Sequence, residues 1–589
     1  MSPSVSRRFS PGLVPGFPLG LLALVLGLLP AAVRAEPDVF GLGNGQHGSL
    51  QVRNPGVVIN DATALTAEAA AGATVLSVAD ASAFKAGELV LVLQMGEELP
   101  FDALRAAVDE LDTRGSGAGR WELARLAEVS AGVLRLSAPL VKRFAAVSQV
   151  VRVPEYSDVR IVNSGSLRAR PWDGRSGGVL AFLNTGTVFN QGSLEVDGLG
   201  FRGGSAETGV AGALYDCAAQ DGTAAGGGGA RKGEGLAGLG DGTPRSGYGR
   251  LANGGGGGNC HDAGGGGGGH VGQGGQGGRS SQEASERDVG GRGGSALRYA
   301  RTEERLLLGG GGGAGIEGSS GGAGGGIVFV RAREIQGPKP RGFITANGLG
   351  APSASGMHGG GGGGGAGGTV HVRVAEQLGC TVLSANGGVG ADSDASPGGG
   401  GGGGLLFIQA AGGVPADCTA TASAGLSGYT PEGTRGAEPV AAGDPLYEGR
   451  QDVLAQAFAA PAVPRWVSPG AGEGVAARPR LEGKTAPGAT VQVFLDGEPL
   501  GEPVVADDAG VFVLVPSTDL AEGAHEASAW AEQFGFRSAQ SAPLGFTVGD
   551  LVLRVGFGCG VASGSGAWGL GLAVLALVLR GARRGAARG

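Results

Sequence analysis

Few side chains in this chain have the types and spacing that chemistry needs, and the cysteines come first. They are Cys217, Cys260, Cys380, Cys418 and Cys559. In an oxidising compartment four of them can pair and one is left over. Cys380 precedes Thr381-Val382-Leu383-Ser384-Ala385-Asn386-Gly387, and Cys418 precedes Thr419-Ala420-Thr421-Ala422-Ser423-Ala424-Gly425. The two occupy one phase of successive repeats. Stacked strands lie about 4.8 Å apart, within reach of a disulfide. The pattern favours Cys380–Cys418, which leaves Cys217–Cys260. Cys559 stands apart, before an apolar stretch ending Leu572-Ala573-Val574-Leu575-Ala576-Leu577-Val578-Leu579, with Arg580, Arg583, Arg584 and Arg588 behind it. From Cys559 to Leu579 is about 20 residues, the length a bilayer core requires. The arginines belong on the cytoplasmic side. Cys559 is therefore expected to be a sorting or lipidation residue beside a transmembrane helix at 561–579.

Other chemistry is mostly excluded. Cys217, Cys260, His261 and His270 could hold zinc, but an exported chain favours the disulfide. Gly387-Gly388-Val389-Gly390-Ala391-Asp392 begins like a calcium-binding β-roll repeat, yet it occurs once and Asp394 stands where an apolar residue belongs. Asp392 and Asp394 are thus the weak calcium candidates, and no metal or cofactor is expected. Glu482-Gly483-Lys484-Thr485 fails as a phosphate loop, because Arg478 sits where the leading glycine must be. Gly318-Ser319-Ser320-Gly321-Gly322 matches a nucleophile elbow only by its glycine content. Glycoside cleavage needs carboxylates on one groove. Asp173, Asp197, Asp392 and Asp394 are available, but Asp197 occupies a turn position that Asn holds elsewhere. No catalytic residue is assigned.

Composition bounds the rest. Glycine makes up 127 of 589 residues, about threefold the usual share, and aromatics are 5%. Arg7 and Arg8 precede an apolar core from Leu19 to Leu29, and Val33-Arg34-Ala35 suits a signal peptidase. Residues 1–35 read as a signal peptide cleaved after Ala35. The net charge is −8, and without the three arginines of the signal and the four of the tail it is about −15. That argues against a nucleic-acid partner, which would meet a basic face.

The elements that must position these residues are all β. Residues 36–158 alternate in short runs such as Thr74-Val75-Leu76-Ser77-Val78 and Glu88-Leu89-Val90-Leu91-Val92-Leu93, a small β-rich domain. One helix is expected from Phe101 to Leu111, where Leu104, Val108 and Leu111 share a face. Residues 159–425 repeat. Leu194-Glu195-Val196-Asp197-Gly198, Ile344-Thr345-Ala346-Asn347-Gly348 and Leu383-Ser384-Ala385-Asn386-Gly387 share one pattern, and Asn347 and Asn386 are 39 residues apart. The runs Gly359–Gly365 and Gly398–Gly404 are also 39 apart, and each leads into a strand. Units of this size stack, because none buries its own apolar stripe. Asx-Gly supplies residues that tolerate positive φ at a corner, and glycine runs permit close backbone approach. A parallel β-solenoid follows, with residues 203–305 as an irregular glycine-rich excursion or a layer of glycine-rich loops. Residues 426–463 read as a linker. Residues 464–548 carry turns at Asp496-Gly497, Asp508-Ala509-Gly510 and Glu522-Gly523. Val491, Val493 and Leu495, then Val511, Val513 and Val515, alternate between them, a sandwich pattern. Residues 549–589 form the sorting tail.

Three resemblances add to this reading. The Cys559 tail resembles the myxobacterial C-terminal sorting signal (MYXO-CTERM), which implies modification of the cysteine, a processing protease and delivery to the outer surface. Gly483-Lys484-Thr485-Ala486-Pro487-Gly488-Ala489 and Leu520-Ala521-Glu522-Gly523-Ala524-His525 resemble bacterial Ig-like repeats. The exported part, opening Val39-Phe40-Gly41-Leu42-Gly43-Asn44-Gly45, resembles glycine-rich surface proteins of the adventurous gliding motility type. Together they imply a membrane-anchored structural or adhesive cell-envelope protein, linked to gliding motility, with polysaccharide or other envelope proteins as partners. It is not expected to be an enzyme. The alternative is a polysaccharide lyase or glycosidase on a β-helix scaffold.

Overall fold

The computed structural model describes residues 40–96, 109–206, 229–237, 245–259, 261–280, 290–299, 302–354, 359–430, 444–533 and 536–549. The signal segment with Ala35, the tail with Cys559, and both Cys217 and Cys260 lie outside these residues. Among the described residues there is no α-helix.

Two parallel sheets run through the repeats. The first contains, in order, Ser49–Val52, Asp158–Ile161, Val179–Asn190, Ile327–Gln336, Thr369–Val374, Leu405–Gln409 and Arg450–Leu454. The second contains Val57–Val58, Ser166–Arg168, Ser193–Glu195, Phe343–Thr345, Val382–Ser384 and Thr419–Thr421. The chain visits the sheets alternately, so successive coils stack as a parallel β-solenoid. Val330, Val372 and Ile408 fall in register on the inner face of the first sheet. They meet Leu194, Ile344 and Leu383 of the second in a sealed apolar core. The first sheet is covered on both faces, which is why its strands read as unbroken apolar runs such as Ile327-Val328-Phe329-Val330.

Its outer face packs against an insertion. Residues 62–153 leave after the first coil and form a six-stranded antiparallel sheet, whose edge strands Ala62–Ala64 and Val75–Ser77 lead into a bridge between Leu65 and Val78. Leu76, Val90, Leu134, Phe144 and Val150 fill its interior. Leu89, Leu91, Leu93 and Trp121 face the other way, onto Ala181, Ile327 and Phe329 of the solenoid. Arg125 clamps the junction through a bidentate pair with Glu155, 2.8 Å on each oxygen, and the Glu155 side chain is fully buried.

Three expectations are corrected here. Strands at 49–52 and 57–58 belong to the solenoid, so the segment 36–158 is not one domain: its ends are coil and its middle is the insertion. The linker 426–463 contains Arg450–Leu454, which extends the first sheet by pairing with Leu405–Gln409. The helix expected over 101–111 does not reach its end. Glu110–Asp112 is a strand, parallel to Ala296–Arg298, while 101–108 lies outside the described residues.

Residues 465–548 form a second β unit of two sheets. One is Arg465–Ser468, Leu481–Lys484 and Val511–Leu514, and the other is centred on Thr490–Leu495, Gly523–Gln533 and Leu544–Val548. All pairs are antiparallel except Gly474–Val475 on Thr547–Val548. Val491, Val493, Phe512, Leu514 and Phe546 fill its core. In the strand Val511–Leu514 the buried residues are Phe512 and Leu514, and Val515 is exposed. The alternating valines Val511, Val513 and Val515 take the opposite face, half-buried at Val511 and Val513.

Candidate functional site

The glycine runs are neither strands nor open loops. They lie side by side as a plate on the flank of the solenoid. Gly361, Gly364 and Gly367 donate to the carbonyls of Ser396, Gly399 and Gly402 at 2.7–2.9 Å. Gly360, Gly363 and Ala366 donate to Ile316, Gly313 and Gly310 at 2.7–2.9 Å, with the neighbour running the other way. Gly265 and Gly268 donate to Gly361 and Gly364, and accept from Gly399 and Gly402. Donation at every third residue is the signature of the polyproline II helix, which has three residues per turn and no hydrogen bonds of its own. Each helix therefore satisfies its backbone sideways, on several neighbours at once.

At the glycines of these helices only hydrogen fits. A Cβ on Gly363 would sit 2.1 Å from the Gly266 carbonyl oxygen, and one on Gly401 would sit 2.0 Å from that of Gly365. The stretch 203–305, expected to be an irregular excursion or a layer of glycine-rich loops, contributes to this plate through its described residues. Residues 263–270 wedge between the runs 359–368 and 396–404, and residues 272–278 pair back along 396–403.

The plate joins the second sheet through a ladder of Asx side chains. Asp197 Oδ1 accepts from the Asn347 amide at 2.7 Å, Asn347 Oδ1 from the Asn386 amide at 2.8 Å, and Asn386 Oδ1 from the Ser423 amide at 2.8 Å. The Asx-Gly words thus serve stacking between coils. Of these three turns only Gly198 has a positive φ, 65°, and neither Asn347 nor Asn386 does, so the corner reading is corrected.

The disulfide expected between Cys380 and Cys418 is present, with Cα atoms 5.2 Å apart. It ties the last two strands of the second sheet. The outermost layer of the plate, residues 346–354, 385–392 and 422–429, keeps the same period. Gly348, Ala351 and Ala354 donate to Asn386, Val389 and Asp392, and Gly387, Gly390 and Ser393 donate to Ser423, Leu426 and Tyr429. Its free face carries Leu349, Val389, Leu426 and Tyr429, 47% to 68% exposed, on three adjacent helices. The four form an apolar stripe whose spacing is set by the backbone hydrogen bonds between these helices.

The sequence-flagged polar residues do not converge. Asp173 accepts from the amides of Arg175 and Ser176 in its own turn. Asp197 is spent in the ladder. Asp392 accepts from the Tyr429 amide at 2.7 Å, and Asp394 is exposed beyond it. Among the described residues no group of three or more His, Cys, Asp or Glu gathers as for a metal. His261 precedes the run 263–270 and His270 ends it, and the seven steps of that run span about 22 Å at ~3.1 Å per residue. His270 is sealed in, and burial lowers its pKa to about 4. Ser319 and Ser320 accept from the amides of Gly362 and Ala206, as struts between helices.

Sequence reasoning missed a buried column on the outer face of the first sheet. Phe329, His371 and Phe407 stack at 5.2 and 4.7 Å, and Trp121 of the insertion packs edge-on. One rung along, Arg331 and Arg373 lie over the ring of Phe458 at 5.3 and 5.2 Å. Aligning the strands after each glycine run would have found this column, since the five residues share two register positions.

No family model matches the chain, and no curated protein matches it. Solved structures similar to parts of it include the tailspike gp61 of Pseudomonas phage phi297, at 14% identity over 24% of this chain and 22% of that one, TM-score 0.13. Another is the Gp54 tailspike of Acinetobacter baumannii bacteriophage AP22 in complex with A. baumannii capsular saccharide, at 11% over 25% and 28%, TM-score 0.14. The tailspike gp49 of Pseudomonas phage LKA1 aligns over 84% of this chain and 87% of its own at 9% identity, TM-score 0.13. The chain spans less than a third of the first two. Scores this low bear on neither fold nor function, which rest on the geometry above.

Proposed function

We propose that this is an exported structural or adhesive protein of the cell envelope, anchored by its C-terminal tail, with the glycine plate as its outward contact surface. The observation that carries the reading is the plate. Helices hydrogen-bonded on several sides by backbone alone make a stiff slab, and its free face presents Leu349, Val389, Leu426 and Tyr429 in fixed register. An exposed apolar patch on an otherwise polar surface suits contact with a partner. The sandwich at 465–548, which we assign to the bacterial Ig-like class, then serves as the spacer between slab and membrane. Cys559 is the residue we assign to sorting of the MYXO-CTERM kind, with gliding motility as the envelope process served. The carboxylates weighed for glycoside cleavage are bound into turns and ladders or lie exposed, which favours a non-enzymatic role over a lyase or glycosidase.

The test is surface labelling of intact cells carrying the full chain, a chain without residues 567–589, or Cys559→Ser. Labelling of the full chain, release of the truncated one and missorting of Cys559→Ser are expected. A truncated protein that stays tightly membrane-bound, or a full chain shielded from the label, overturns the reading.

A further inference from the structure

The outermost layer of the plate stops one helix short. Phe343–Thr345, Val382–Ser384 and Thr419–Thr421 of the second sheet each lead into a helix of that layer. The last strand of the first sheet, Arg450–Leu454, has no second-sheet counterpart among the described residues, so the helix 422–429 forms an edge. Gly348 and Ala351 donate to Asn386 and Val389, and Gly387 and Gly390 donate to Ser423 and Leu426. Ala424 and Ser427 hold the same places in the last helix, and their amides meet no acceptor among the described residues. Both residues are half-buried, with Leu426 and Tyr429 exposed beside them. Two donors three residues apart, about 9 Å along a polyproline II axis, match the carbonyls of one more such helix. An edge of unused backbone donors is a template for another chain.

The earlier contacts of this layer also dictate the side chains of the newcomer. A Cβ on Gly388 would lie 2.0 Å from the Leu349 oxygen, one on Gly425 2.0 Å from that of Gly388, and one on Gly428 2.0 Å from that of Ala391. Glycine stands at this inward place at 388, 425 and 428, and alanine at 391. In a second copy the first helix of the layer is 346–354, where Leu349 and Pro352 occupy the two inward places. Their side chains bar it from the edge, so a second copy does not fit. We propose that the edge 422–429 binds an extended segment of another polypeptide, in polyproline II conformation and with glycine at every third residue. Its carbonyls accept from Ala424 and Ser427, and its glycines let the two backbones close. The assignment rests on the contact-surface reading above and names the partner class.

The test titrates the detergent-solubilised full chain into a fluorescent peptide copying residues 422–430 and follows amide hydrogen exchange over the same segment of the chain. The peptide should bind and slow exchange at Ala424 and Ser427, which should be fast in the chain alone. A peptide with alanine at the places of Gly425 and Gly428 should bind at least about 10-fold more weakly. Ala424→Pro removes one donor and suits a polyproline II backbone, as Pro352 already does in this layer. It should weaken binding about 5-fold and leave Tm unchanged or raised. No binding of the copy, equal binding of the alanine peptide, undiminished binding to Ala424→Pro or a lowered Tm of that variant overturns the proposal. Slow exchange at Ala424 and Ser427 in the chain alone overturns it too, because the edge would already be covered, by a second copy if the slowing grows with concentration and otherwise by the chain itself. If the purified chain binds the peptide while intact cells leave it unlabelled, the surface reading falls and the edge assignment stands; labelled cells with a silent peptide give the reverse.

Discussion

Replacing Gly363 by alanine tests the plate directly. The new methyl carbon would lie 2.1 Å from the Gly266 oxygen and 2.3 Å from its carbonyl carbon, where real contacts begin near 3.0 Å. The backbones must part by about 0.9 Å. They cannot do so freely, because Gly363 donates to Gly313 and accepts from Gly322, both at 2.8 Å. Overpacking costs about 1–3 kcal/mol, and two stretched hydrogen bonds lose about 1 kcal/mol each. Alanine returns roughly 0.4–1 kcal/mol by narrowing the unfolded ensemble. The net loss is about 2–5 kcal/mol, a large part of a typical domain's stability. Gly115→Ala is the control: its Cβ meets nothing within 4 Å, so only the gain remains. Urea unfolding followed by circular dichroism reads both as midpoint shifts. If Gly363→Ala costs no more than Gly115→Ala, the runs are not packed backbone to backbone, and the contact surface built on them goes too.

Three further outcomes are expected. Non-reducing peptide mapping should recover Cys380 joined to Cys418; since the bond spans 38 residues, replacing both by serine should cost about 3–4 kcal/mol, and a bond from either to Cys217 or Cys260 would contradict the stack. Asn386→Ala removes the acceptor for the Ser423 amide and should cost about 1 kcal/mol with faster hydrogen exchange at Ser423, whereas Asn386→Asp keeps the oxygen and most of the stability. In the sandwich, the Ala521 carbonyl and then the Asp496 carboxylate raise the pKa of His525. That contribution is complete below the ordinary value of 6.5 and is lost as pH climbs through the raised one. The sandwich Tm should therefore fall across that window in the native chain and not in His525→Gln.

How far the residues announced this architecture depends on which force set each part. The 39-residue period of Asn347 and Asn386 and the phase of Cys380 and Cys418 come from coil-to-coil stacking, which repeats in sequence as it does in space. The disulfide and the parallel sheets were legible for that reason. The strands 49–52 and 450–454 were not, because each completes a coil whose partner is more than thirty residues away, across an insertion or past a proline-rich stretch. Leu111 fits a helical face by spacing alone, yet pairing with Leu297 makes it a strand. In Val511–Leu514 both faces carry apolar residues, so alternation could not say which one the sandwich buries. The plate was half visible: the glycines promised close approach, but a homopolymer gives no sign of how its runs pair.

A slab made of unadorned backbone holds no address of its own. Any stretch of Gly359–Gly365 looks like any other to the helix beside it, so sliding by three residues would restore the same donors to the same acceptors. Alignment must be dictated from the margins, by punctuation such as Ile316, Ala366, Ser396 and the Asx rungs. Growth of these runs is therefore quantised. One added glycine turns everything beyond it by a third of a revolution and misaims every donor, whereas three add a full turn and push the far loop out by about 9 Å. Repetitive glycine codons, which gain and lose units readily, can thus lengthen the slab in whole turns while leaving its packing intact.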